Sequence, residues 1–190
     1  GEQVDFVTSI QNSSTATVRG VELEFLALIS ENLSVDAIVG YLDATYGELT
    51  ALDGDRPQLG EFDLAGNKLP FAADWKYNLG VQYKIPLQGD LGSLSFRGDY
   101  SYVSEYFTSY FNRTLATTAP YADNVPSHEN INARLTWTNP DSAWQADLYV
   151  QNLTDSADLV HQSPTYHNAG MNFVVYTRPR TFGVRLSHRF

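Results

Sequence analysis

Residues 181–190 read TFGVRLSHRF, and no other stretch restricts the fold as much. In an extended strand successive side chains point to opposite sides. Phe182, Val184, Leu186, His188 and Phe190 therefore share one face, and Thr181, Gly183, Arg185, Ser187 and Arg189 share the other. The sequence stops on an aromatic residue with no polar tail. A strand whose outer face stays apolar to the last residue has little use in water. It suits the closing strand of a bacterial outer-membrane cylinder, whose outer wall meets lipid.

The same period of two runs back through the chain. Residues 3–10 alternate weakly, with Val4, Phe6 and Ile10 on one side. Val21, Leu23, Phe25, Ala27 and Ile29 then oppose Gly20, Glu22 and Glu24, and Leu33, Val35, Ala37, Val39 and Tyr41 oppose Ser34, Asp36 and Gly40. The clearest strand covers 75–85, where Trp75, Tyr77, Leu79, Val81, Tyr83 and Ile85 oppose Lys76, Asn78, Gly80, Gln82 and Lys84. Further strands are expected around 94–102, 131–137 and 144–151. No helical period is sustained. Short turns at 30–32, 86–92 and 139–142 alternate with long polar loops at about 47–70, 107–127 and 153–173. Hairpins ordinarily use a few residues, so strict alternation of short and long connections fits a barrel with short periplasmic turns and long external loops.

Charge and aromatic placement point the same way. Within the strands Glu22, Glu24, Asp36, Lys76, Lys84, Arg97, Asp99, Arg134, Asp147, Arg185 and Arg189 keep to the polar parity; Arg19, Asp43 and Glu129 depart from it near the loop ends. A cation on the lipid face at mid-bilayer costs about 2–4 kcal/mol. Trp137 and Trp144 flank one short turn, and Tyr83 and Phe96 another, as rings at a membrane interface do. The longest apolar run is FLALI at 25–29, far short of the roughly 18 residues of a membrane helix, but barrel strands escape that test. A net charge of -10 offers no basic stripe to nucleic acid. The absence of Cys excludes a disulfide scaffold and thiol metal sites. The start at Gly1-Glu2-Gln3 reads as a mature N-terminus or a cut inside a longer protein, with no signal peptide.

Five motifs stand in order along the chain: TVRGVELEF at 17–25, GYLDATY at 40–46, GNKLP at 66–70, NLTD at 152–155 and RPRTFGVRLSHRF at 178–190. Together they resemble the C-terminal barrel of TonB-dependent outer-membrane receptors. The resemblance implies an all-β, antiparallel, up-and-down transmembrane segment of about seven or eight strands, part of a barrel of about 22. On that reading residues 1–190 are the C-terminal portion, and the plug domain and its energy-coupling box are absent from this chain. The implied function is energised uptake of a scarce nutrient across the outer membrane of a Gram-negative bacterium, a ferric siderophore foremost, with cobalamin or a glycan as alternatives. Implied partners are outer-membrane lipid and lipopolysaccharide, the plug and remaining strands, the TonB complex reached through the plug, and the barrel assembly machinery. Phe182, Val184, Leu186 and Phe190 become the C-terminal assembly signal, with His188 where the family usually carries Tyr.

Other chemistry finds weaker support. Asp53-Gly54-Asp55 with Glu61 and Asp63 has some of a calcium loop but lacks its spacing and terminal Glu, so a solvated acidic loop is expected. His161 and His167 have no third ligand at helical or hairpin spacing. No nucleophile-elbow motif is present, so no catalytic residue, metal or cofactor is assigned. Substrate contacts are expected on the external loops and upper lumen at Arg56, Tyr106, Tyr110, Arg113, Tyr121, His161, Tyr166 and His167, each of which serves equally well to pack loop against loop. Two further classes stay open: a self-contained eight-stranded barrel acting as an adhesin or structural protein, and a soluble carbohydrate-binding β-sandwich.

Deleting Phe190 removes the last apolar anchor of the closing strand. It is expected to block outer-membrane assembly of the full-length protein while synthesis continues. Loss of the heat-modifiable band on a gel, at unchanged total protein, is the readout.

Overall fold

The computed structural model describes residues 14–114, 122–163, 171 and 173–189. In chain order the strands are β1 (Ala16–Leu28), β2 (Leu33–Tyr46), β3 (Thr50–Leu52), β4 (Glu61–Asp63), β5 (Trp75–Pro86), β6 (Ser93–Val103), β7 (Tyr106–Phe107), β8 (Asn124–Val125), β9 (His128–Thr138), β10 (Trp144–Gln151), β11 (Leu159–Gln162), β12 (Val174–Tyr176) and β13 (Thr181–His188). Seven of them form one sheet in the order β1-β2-β5-β6-β9-β10-β13, and every neighbouring pair is antiparallel. The sheet is an up-and-down meander whose edges, among the described residues, are β1 and β13. The expected strand at 3–10 lies outside the described residues.

The three short turns fall where expected, all at one end of the sheet, and side chains hold them. The Ser30 hydroxyl accepts from the Leu33 amide at 3.1 Å. The Asn139 carbonyl accepts from the Trp144 amide at 2.8 Å. Gly92 takes φ 80°, and a Cβ there would strike the backbone of Thr138 and Asn139, so the 86–92 and 139–142 turns pack backbone to backbone.

Register carries one face unbroken across the sheet. Ala27, Val35, Val81, Gly98, Ala133, Val150 and Phe182 are successive cross-strand partners, and Tyr83, Phe96, Leu135, Leu148 and Val184 form the next row. This face has no cover among the described residues: Leu23 is 63% and Val184 75% exposed. The buried apolar residues among those described (Ala44, Leu64, Ala72, Ala73, Ala122 and Val125) lie at the loop end. A β-sandwich would bury such a face against a second sheet. None of the described strands supplies one.

Aromatic rings border the apolar band at both ends. Toward the turns, the Trp144 and His188 rings are 4.3 Å apart and the Trp137 indole donates to Leu91 O at 2.9 Å. Toward the loops, Tyr41 meets Trp75 at 4.8 Å and Tyr77 meets Tyr102 at 4.7 Å. Tyr77 and Tyr83 on β5 are separated by a strand rise of about 20 Å, close to the roughly 25 Å apolar band of outer-membrane barrels. The turn-side rings are legible from their flanking positions; the loop-side belt appears only once the strands are paired. The three parity exceptions also find their neighbours. Arg19 sits opposite Asp43, and Glu129 accepts the Tyr100 hydroxyl at 2.7 Å.

On the polar face one ion pair crosses a whole strand. Arg97 on β6 donates to both carboxylate oxygens of Asp36 on β2, at 2.9 and 3.1 Å, and to Asp99 at 2.8 Å. Between them on β5 stands Gly80, the register partner of both Asp36 and Asp99. A Cβ at Gly80 would lie on the Arg97 guanidinium and the Asp36 carboxylate. Only glycine leaves the gap through which the pair closes.

Two expectations need correction. The three long connections are not plain loops, for each carries its own two-stranded ribbon: β3–β4, β7–β8 and β11–β12. Strands of two to four residues are too short for alternation to reveal. The polar face also carries apolar residues near its first edge, with Leu26 77% and Leu28 81% exposed.

Gly80→Val is expected to force the Arg97–Asp36 pair apart and to lower stability by about 1–3 kcal/mol, as overpacking does. Asn78→Val, on the same face of β5 without a crossing pair, is expected to stay within about 0.5 kcal/mol. Urea unfolding midpoints of the two variants in detergent micelles give the comparison.

Candidate functional site

The long connections gather at the end of the sheet opposite the turns, and their bases are latched by the quoted motifs. In GNKLP the chain continues pairing beyond β2: Tyr46 N donates to Asn67 O at 2.8 Å and Leu69 N to Ala44 O at 3.0 Å. The Lys68 backbone is matched on both sides by the Asn112 amide, whose oxygen accepts at 2.6 Å and whose nitrogen donates at 3.0 Å. Lys68 also pairs with Asp74. The NLTD and RPR motifs hold each other. Buried Asn152 donates to Arg178 O at 2.8 Å, and the Asp155 carboxylate accepts the Arg180 amide at 2.9 Å. A loop of about two dozen residues is thus closed at its neck. Asn112, Asn152 and Asp155 all have positive φ, which short polar side chains tolerate best.

The first two connections are joined by a buried charge cluster. The Arg113 side chain is 5% exposed and donates to Asp53 at 3.2 Å, Asp55 at 2.6 Å and Asp123 at 3.1 Å. The Arg113 amide adds a bond to Asp123 at 2.8 Å, and Ser109 donates to the same carboxylate. Arg56 closes the cluster with 2.8 Å contacts to Asp53. Each guanidinium also lies on a ring, Arg56 5.1 Å from Phe62 and Arg113 5.3 Å from Phe111. Burial opposes the Arg113 charge, but its bonds to Asp55 and Asp123 and the field of Asp53 outweigh it and hold the guanidinium above its ordinary pKa. Burial pushes the Asp123 carboxyl up, against the pull of Ser109 and Arg113, consistent with three carboxylates facing two cations. Asp53 and Asp55 are therefore not solvated as expected. Arginines neutralise these carboxylates, and among the described residues no cluster suits a metal.

A second junction joins all three connections. Phe71 is the third residue of a β-turn closed by Ala72 N to Leu69 O at 3.3 Å, with φ 63°. A bulky side chain there costs about 1–2 kcal/mol. Its ring stacks on His161 at 5.9 Å and meets Tyr106 at 6.3 Å. The Tyr106 hydroxyl donates to Val160 O at 2.6 Å, and burial raises its phenol pKa. Gln162 reaches Asn124 O at 2.8 Å.

The structure thus brings Tyr106, Arg113 and His161 into inter-loop contacts, with Arg113 enclosed, while Arg56 meets Asp53 and Phe62 of its own connection. Tyr110 is 39% exposed and its ring lies tilted beside that of Phe111 at 4.6 Å. Tyr121, Tyr166, His167 and the terminal Phe190 lie outside the described residues, while Phe182, Val184 and Leu186 line the exposed apolar face of β13. Residues that sequence reasoning did not single out are Asp123, Asn112 and Phe71. Nothing local marks Asp123 as the partner of an arginine ten residues earlier.

Residues 2–153 match the family described as TonB dependent receptor-like, beta-barrel. Among solved structures the chain resembles the ferric yersiniabactin uptake receptor FyuA from Yersinia pestis (TM-score 0.72, 18% identity), covering 94% of this chain and 24% of that one. It also resembles the ferric citrate transporter FecA in its unliganded form (TM-score 0.64, 20% identity), covering 92% and 25%. A third is BauA, the ferric preacinetobactin receptor from Acinetobacter baumannii (TM-score 0.60, 19% identity), covering 94% and 23%. The chain spans about a quarter of the length of each of these structures. At these identities the likeness is one of fold.

Arg113→Met strips three buried carboxylates of their shared cation, and removing one partner of a buried ionic cluster costs about 3–5 kcal/mol. The loss is expected to fall on the loops. Proteolytic cutting within 50–70 and 104–127 should rise sharply while the heat-modifiable sheet persists. Arg113→Lys, which keeps the charge without the fork, should be intermediate.

Proposed function

Because the chain belongs to the TonB-dependent receptor β-barrel family, a family of receptors and not of enzymes, we propose that it forms the C-terminal strands of an outer-membrane barrel of about 22 strands. The observation that carries this reading is the uncovered apolar face, continuous in register across seven strands and bordered by aromatic rings. The short turns then face the periplasm and the long connections the outside. The polar face, with the Arg97–Asp36 crossing, lines the lumen. β1 and β13 are edges that the remaining strands of the receptor pair, since unpaired backbone groups in hydrocarbon cost several kcal/mol each.

In this receptor the plug fills the lumen and couples to the TonB complex, and the cargo is a scarce nutrient, a ferric siderophore in the first place. The external connections supply its first contacts. Arg56, Tyr110 and His161 keep accessible surface at the loop end and serve as contacts, with Tyr106, Tyr121, Tyr166 and His167 beside them. Arg113 acts through the cluster it closes, holding the first two connections as one unit. Lipid and lipopolysaccharide surround the barrel, and the assembly machinery reads the apolar face of β13.

A strain lacking the full-length receptor is expected to lose growth on the cognate ferric siderophore as sole iron source. Growth should return with the receptor only when the TonB complex is intact. Restoration in cells without TonB would overturn energised transport as the function.

A further inference from the structure

At the loop end of the polar face, a cavity of about 450 Å³ opens between β9, β10 and the segment that leads from β12 to β13. Its size lies within the usual range for a small-molecule site. Asn130, Asn132 and Gln151 form the sheet side, while Tyr176, Thr177 and Arg178 form the opposite wall. Among the described residues no acidic one lines it, although the chain carries a net charge of -10.

The framework of this cavity is held firmly, but several of its side chains are uncommitted. Asn152 ties the Arg178 carbonyl at 2.8 Å. Thr177 is held by Ser156 O at 2.8 Å and by the Asp158 amide at 3.0 Å. Asn132 uses its carbonyl on the Asn152 amide at 3.0 Å and keeps its NH₂ group. The side chains of Asn130, Gln151 and Arg178 make no hydrogen bond or ion pair with any described residue. Arg180, two residues on, differs: it pairs with Asp155 at 3.7 Å. A fixed backbone that presents unspent donors and acceptors binds with little ordering cost.

We propose that this cavity is a subsite for a hydroxylated carboxylate, bound by Arg178 through the carboxylate and by Asn130 and Gln151 through adjacent hydroxyls. One guanidinium fork matches one carboxylate in a bidentate pair. Each side-chain amide offers a donor and an acceptor together, as a hydroxyl does. The exposed Tyr176 ring covers the carbon skeleton between them. The proposal rests on the reading of the polar face as the lining of a transport passage, and it narrows the cargo to one bearing hydroxyls beside a free carboxylate. Such a group belongs either to a sugar acid or to the rim of a ferric hydroxycarboxylate chelate.

The test titrates full-length receptor in detergent with sodium glucuronate, iron(III) citrate and glucose by calorimetry. Saturable binding of at least one of the two anions, with glucose weaker, is expected. The tighter of the two identifies the source. Arg178→Gln removes a charge-assisted contact and is expected to weaken anion binding about tenfold or more, with glucose unaffected. Gln151→Ala is expected to weaken all three. Heat-modifiable migration checks that each variant is folded. If Arg178→Gln does not fold, Arg178→Lys replaces it and should also weaken the anions. Absence of saturable anion binding, or anion affinity unchanged in the folded Arg178 variant, overturns the site. A receptor that stays heat-modifiable and TonB-dependent while binding neither anion keeps its transport role and loses only this subsite.

Discussion

A strand that crosses hydrocarbon takes its amide and carbonyl groups out of water, and each group must find a partner within the protein. The organisation of this chain follows from that requirement. Five of the seven long strands are paired on both sides, and the meander sets each long strand beside the next through alternating short turns and long connections. Pairing in turn demands register, because a slip of one residue would carry every apolar side chain to the wrong face. The rows running from Ala27 to Phe182 and from Tyr83 to Val184 show that no slip occurs across the sheet.

The two faces answer to different forces. On the apolar face side chains need only be large, uncharged and evenly spread, and rings gather where the band ends. On the polar face charges must neutralise each other across strands, and steric room becomes the limiting quantity. Gly80 illustrates the exchange: β5 gives up a side chain at one position so that β2 and β6 can be joined above it. Packing of a conventional kind begins only at the loop end, where Val125, Asp53 and Asp123 are fully buried. That small core is largely ionic. It ties segments more than fifty residues apart into one platform, which the sheet alone could not hold in place.

The sheet was legible in advance because its signal repeats. Strands of eight or more residues show their alternation, and the turns at 30–32, 86–92 and 139–142 announce themselves by polar and glycine-rich composition. Short ribbons such as β7–β8 leave no such trace, since two residues cannot establish a period. The loop cluster was misjudged for a related reason. Asp53 and Asp55 read as solvated, because charged residues in a polar stretch usually are exposed, and Arg113 stood equally as a substrate contact or a loop-packing residue; their burial depends on partners from another connection.

The sequence by itself determined the alternating faces, the strand-and-turn rhythm and the separation of charge from the apolar parity, because each is written in neighbours one or two residues apart. Tertiary structure alone decided which strand's charge meets which, why position 80 must be glycine, how NLTD meets RPR, and that Arg113 sits inside rather than outside. Those outcomes join residues dozens of positions apart. Their energy depends on distance and burial in space, and a linear pattern contains neither.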